Sequence, residues 1–164
     1  MPWFRRSEEP EPTPVVGQPG VDQEDTPSAL HAEIAGAVRL VNAAAGDLPV
    51  ASVVAARRIT DLLTEVVRTS DVRPLDVYAA ISVRATATDY LPTTVRGFTA
   101  LDPDLVDVPA ASGMTPTQSL ATQLGSLEGA AEQVLEAARR QDVDVLMTQG
   151  SFLRTKFSGS DLDL

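Results

Sequence analysis

Cysteine is absent from the chain of 164 residues, which excludes a disulfide framework, a thiolate metal site and a cysteine nucleophile. Aromatic residues make up only 4%, so any core must be assembled from Ala, Val and Leu. Such side chains suit closely approaching helices better than a ring-lined pocket. Histidine occurs once, as His31. A single imidazole cannot supply the two Glu-x-x-His pairs of a di-iron bundle, and beside an apolar stripe near a helix start it reads as a boundary residue. No apolar run approaches the roughly 18 residues needed to cross a bilayer. Met1 to Arg6 has a basic pair but no following hydrophobic stretch, so it does not read as a secretory signal. The expected location is the cytoplasm.

Other absences concern chemistry. There is no Gly-x-Ser-x-Gly elbow to single out a serine, and nucleophilic catalysis needs a base within hydrogen-bond reach. The glycines are scattered, with neither a Gly-x-Gly-x-x-Gly nor a Walker loop to cradle phosphate. Positive charge is scarce: the formal net charge is -10, which opposes association with a phosphate backbone and argues against nucleic-acid binding. Much of that charge lies at the start. Arg5 and Arg6 face Glu8, Glu9, Glu11, Asp22, Glu24 and Asp25 there, a local net of about -4.

What is present is helical. Residues 1–26 form an acidic, Pro-rich tail that packs nothing and is expected to be disordered; 27–157 read as one helical-bundle domain, and 158–164 as a flexible tail. Thr26-Pro27 offers a cap followed by proline at the first helical position, with Leu30, Ile34, Ala37, Val38 and Val41 at helical spacing as far as Gly46. A second helix starts near Asp47 and Pro49 and runs to about Ser70. It carries a broad stripe of Val50, Val53, Val54, Ile59, Leu62, Leu63, Val66 and Val67, with Arg57 and Asp61 spaced to pair on the opposite side. The third opens around Pro74 and presents Leu75, Tyr78, Ile81 and Ala85 on one face. Tyr90-Leu91-Pro92 then predicts a kink or a break, before a shorter segment with Val95, Phe98 and Leu101.

A loop over 102–115 precedes a second Thr-Pro start at Thr115-Pro116. Leu120, Leu124, Leu127, Ala131, Val134 and Ala138 follow at alternating spacings of four and three, a heptad seam for an internal or a partner helix. Asp142 can cap a last helix carrying Val145, Leu146, Phe152, Leu153 and Phe157. The expected architecture is an all-α antiparallel bundle of four long helices plus one or two short ones.

Two clusters hold most of the aromatic side chains: Asp89-Tyr90-Leu91-Pro92 with Val95, Arg96 and Phe98, and Gln149 through Phe157. Tyr90, Pro92, Phe98, Phe152 and Phe157 are therefore the candidate anchors, either as core wedges or as an aromatic and basic docking patch. No catalytic, cofactor-binding or metal-binding residue is assigned. The carboxylates that could serve a metal are Asp61 and Glu65, four apart on one helix face, together with Asp89. Trp3, Phe4, Arg5 and Arg6 form a marginal anchor for a membrane surface, opposed by the acidic run that follows.

The same two clusters resemble a bacterial family named for 5-bromo-4-chloroindolyl phosphate hydrolysis, whose members often accompany proteins of the toxic-anion (tellurite) resistance class. In that family a helix leads into an Asp-Tyr-Leu-Pro-like segment, here Asp89 to Pro92. A Phe-Leu-x-x-Lys-Phe-like segment, here Phe152 to Phe157, closes the chain. The resemblance covers about residues 70–160. Members often carry N-terminal membrane helices where this chain has its acidic segment, and the hydrolysis of the family title finds no catalytic constellation here. The composition, with lysine only at Lys156, points to a high-GC, actinobacterial source. The expected function is a non-enzymatic interaction or scaffold protein of bacterial envelope or stress physiology, with a protein partner and no cofactor. A metal-dependent phosphoesterase or a peripheral membrane adaptor are the alternatives.

Overall fold

Thr26 opens the first helix as the sequence predicts: its Oγ1 accepts from the Ala29 N–H at 3.3 Å, and Pro27 occupies the first helical position, where its missing N–H costs nothing. This computed structural model describes residues 25–158, and side chains from 25 to 141. Among them every regular element is helical. The α-helices are α1 (Pro27–Ala44), α2 (Val50–Arg68), α3 (Val77–Ala85), α4 (Leu91–Thr99) and α5 (Pro116–Ser158). Short 3-10 turns lie at Thr69–Asp71 and Pro103–Leu105. Trp3, Phe4, Arg5 and Arg6 fall outside the described residues, as do the side chains of Phe152 and Phe157.

On α1, Leu30, Ile34, Ala37 and Val41 are buried at the expected spacing. On α2 the buried arc is wide, running through Val53, Ala56, Ile59, Leu62, Leu63, Val66 and Val67, because α2 packs against both α1 and α5. Val50 and Val54, expected in that stripe, are exposed instead, because they fall on the outward face of α2 that also carries Arg57, Asp61 and Glu65. Thr60 is buried among them, and its hydroxyl is satisfied by donating to the Arg57 carbonyl at 2.7 Å. Each large aliphatic side chain buried in this way contributes about 1.5–3 kcal/mol. Arg57 does not turn to Asp61; its Nη2 donates to Asn42 Oδ1 at 2.9 Å, across to α1.

Contacts across the helices set their directions. Arg58 on α2 meets Glu128 at 2.6 Å and Glu132 at 3.2 Å on α5, and Glu65 meets Arg139, so α2 and α5 run the same way. Hydrogen bonds to Glu132 and Glu128 hold the Arg58 guanidinium above its usual pKa. The segment 77–99 runs against α5, since residues 78–90 border one concavity with residues 127–141 and residues 93–101 border another with residues 116–123.

Pro92 neither breaks nor separates helices. Residues Thr86–Tyr90 form a π turn that joins α3 to α4 in one continuous helical run, with the Leu91 N–H donating to the Thr86 carbonyl. The wider turn also keeps Val83, Ala87, Leu91, Val95 and Phe98 in one buried stripe, although successive spacings of four overrun the 3.6-residue period.

α5 starts with a reciprocal cap: Gln118 N–H donates to Thr115 Oγ1 at 3.1 Å, and Thr115 N–H donates to Gln118 Oε1 at 3.0 Å. The turn before it passes through Gly113 at φ 80°, a left-handed conformation that glycine adopts without steric cost. The expected restart at Asp142 does not occur, since α5 is one helix of 43 residues. Arg139, Arg140 and Gln141 are good helix formers, and an aspartate inside a helix costs only a few tenths of a kcal/mol more than they do.

Candidate functional site

The third helix buries the face opposite to the one expected. Ala79, Ala80 and Val83, followed by Thr86 and Ala87, point inward, while Tyr78 is 74% and Ile81 54% exposed. Two apolar faces compete on this helix. The small one wins the interior because alanines let α3 approach α1 and α2 closely, and the larger side chains are left facing outward. Arg84 reinforces that choice: its Nη2 lies 2.7 Å from Asp25 Oδ1 and its Nε 3.7 Å from Glu33 Oε1, which ties α3 to the start of α1. Asp25, expected within the tail, thus belongs to the folded unit.

The outward-facing residues of α3 border a groove against α5 of about 470 Å³. Tyr78, Ile81 and Tyr90 stand along one wall, and Leu127, Ala130 and Val134 along the other. Leu63, Val83 and Ala131 form the floor, all buried. The groove exists because α5 carries alanine at 130, 131, 137 and 138, too short to fill the space between two helix axes. At one end Arg73 Nη2 donates to Gln141 Oε1 at 2.8 Å. Close by, Asp76 caps α3, its Oδ1 accepting from the Tyr78 N–H at 2.8 Å. The volume lies in the range of pockets that hold a small organic ligand or a few anchoring side chains.

The heptad seam of α5 is accordingly split. Leu120, Leu124, Ala131 and Ala138 are buried, joined by Leu135 from outside the seam, whereas Leu127 and Val134 are only half-buried and line the groove. A second concavity of about 340 Å³ lies at the other end, between α4, α5 and the loop before α5, beside Phe98, Leu101, Met114 and Leu120.

The anchors predicted from sequence are not one patch. Tyr90 is 53% exposed at the groove, while Pro92 and Phe98 are buried. Eight residues of helix, about 12 Å, separate Tyr90 from Phe98. Spacing sets Tyr78 and Ile81 on one face of the third helix; the competing run of Ala79, Ala80, Val83 and Ala87 is the signal in the sequence that this face points outward.

The carboxylates are dispersed. Glu65 is engaged by Arg139, Asp89 accepts from Thr93 Oγ1 at 3.3 Å, and Asp61 is exposed. Among the described residues no three His, Cys, Asp or Glu side chains gather closely enough to hold a metal ion. His31 is exposed on α1. No described helix is long and apolar enough to cross a membrane. No family model matches the chain, and no curated protein or solved structure matches it either.

Proposed function

We propose that this chain is a non-enzymatic helical-bundle interaction protein that docks an apolar segment of a protein partner in the groove between α3 and α5. The observation that carries this reading is the outward placement of Tyr78, Ile81 and Tyr90 over a groove floored by buried aliphatic side chains. Tyrosine is enriched where one molecule docks on another, because its ring buries large area while the hydroxyl keeps a polar partner. The partner segment that fits is amphipathic, with an aromatic or branched aliphatic anchor for the floor and polar groups for Arg73, Asp76 and Gln133 at the rim. Action in the cytoplasm, beside envelope or stress machinery, belongs to the same reading. No observation favours the metal-dependent phosphoesterase, whose candidate carboxylates Asp61, Glu65 and Asp89 are not assembled.

The test is affinity capture from the native host with the wild-type chain and with an Ile81→Asp variant, the latter checked by circular dichroism. The expected result is a reproducible partner retained by wild type, lost by the folded variant, and shown with purified components to bind directly. Capture that is indifferent to Ile81→Asp would remove the groove from the proposal, and no partner at all would remove the function.

A further inference from the structure

Val77, Tyr78 and Ile81 stand outward on α3, with Ala85 half-buried one turn further on. Val72 and Tyr90, both exposed, flank this strip at its two ends. The strip projects, and the groove between α3 and α5 recedes beside it. The ends differ in charge: Arg73 borders the groove next to Val72, and Asp89 is exposed next to Tyr90.

We infer that a second copy of this chain covers this face, the two α3 helices packing antiparallel about a two-fold axis beside Ile81. Such a pair rests on the reading of the groove as a docking surface, and it occupies that surface when no other segment is bound. A two-fold contact puts the same patch on both sides, so the patch must be complementary to itself. This face meets that condition twice. In shape, a projecting strip beside a hollow lets each copy cap the other's groove, and an axis at Ile81 sets Val77 against the small Ala85 of the second copy, which lets the helices approach closely. In chemistry, the same operation reverses the ends. Val72 and Arg73 of one copy come to Tyr90 and Asp89 of the other, so apolar meets apolar and cation meets anion. Arg73 has five N–H donors, enough for Gln141 and a carboxylate together. A second exposed apolar set, Leu101, Leu105 and Val108, offers no such match. Asp102, Asp104 and Asp107 are interleaved with it, and a two-fold there would bring like charges together.

The area is sufficient for a weak dimer. With ~150–250 Å² available from a tyrosine, Val72, Val77, Tyr78, Ile81 and Tyr90 expose on the order of 500 Å² per copy, about 1,000 Å² for the pair, which is the lower bound for a specific interface. The dimer therefore exchanges readily, and a partner segment has to compete with it.

Sedimentation equilibrium of the full wild-type chain across the micromolar range is expected to show a monomer–dimer equilibrium. Ile81→Asp, folded by circular dichroism, should stay monomeric. Charge reversal tests the register: Arg73→Glu and Asp89→Arg should each weaken the dimer about tenfold, since like charges then meet at both ends. An equimolar mixture of these two variants should pair more tightly than either alone, because both ends again join opposite charges. A fold defect in either variant cannot produce that gain. A wild-type chain monomeric throughout the range overturns the inference, as does a dimer indifferent to Ile81→Asp or a mixture no tighter than its components. A monomer whose groove still captures a partner defeats only this inference. A dimer lost on Ile81→Asp, with nothing but a second copy captured from the host, defeats only the proposed function.

Discussion

The Leu91 N–H reaches back five residues to the Thr86 carbonyl, and Pro92 follows immediately. The proline has no N–H to place in an α-helical ladder and would crowd the carbonyl of Thr88 in a regular turn. The π turn relieves both problems, and it also brings the buried stripe of α3 into line with that of α4. The second effect is the stronger constraint, because five buried positions depend on it.

Pro92→Ala is accordingly expected to keep the π turn and the fold, with stability within about 1 kcal/mol of wild type. Urea denaturation would measure this. A loss beyond about 3 kcal/mol would show that the proline itself holds the two helices together.

Arg84 is the side chain that fastens α3 to the start of α1. Its side chain is 25% exposed and that of Asp25 16%, so this pair is shielded more than a surface ion pair. Arg84→Met should cost about 2 kcal/mol, since it leaves two carboxylates of the same sign half-buried together. Adding Asp25→Asn should recover part of the loss, and additivity in that double-mutant cycle would contradict the pairing. Arg58→Ala, by contrast, removes an exposed network and should leave the melting temperature almost unchanged.

Ala80 tests the small-residue face. It is buried where α3 approaches the core, and Ala80→Leu should overpack the interior and destabilise by about 1–3 kcal/mol. If the chain tolerates leucine there without loss, the close approach of α3 is not what selects its inward face.

Leu124 and Val54 make a matched pair on the question of burial. Leu124 is fully buried on α5 and Val54 is largely exposed on α2. Leu124→Ala should cost about 2–5 kcal/mol, and Val54→Ser should fall within about 0.5 kcal/mol of wild type. Chemical denaturation of the two variants side by side checks the assignment.

Much of the local structure was legible in the residues. Thr26-Pro27 and Thr115-Pro116 mark helix starts because a threonine oxygen can satisfy a free N–H while proline has none to satisfy, and both starts are where the sequence places them. The stripe of α1, most of that of α2 and the all-helical character follow from periodicity, since residues three and four apart must share a face. The candidate site was legible only in part. Tyr90 reaches the groove, but its companions are Tyr78 and Ile81 rather than Phe98, which lies in the core.

Two matters were decided by the tertiary structure. Periodicity says which residues of α3 lie together and not which set meets a neighbour, and only packing against α1 and α2 selected the alanine face over the tyrosine face. Spacing could not show that a π turn would absorb Pro92, because that depends on aligning two stripes on either side of it. The groove between α3 and α5 arises from the first of these: alanines on one helix leave space that the outward-turned side chains of the other border without filling. A single helix cannot encode that void, since it exists only where two of them meet.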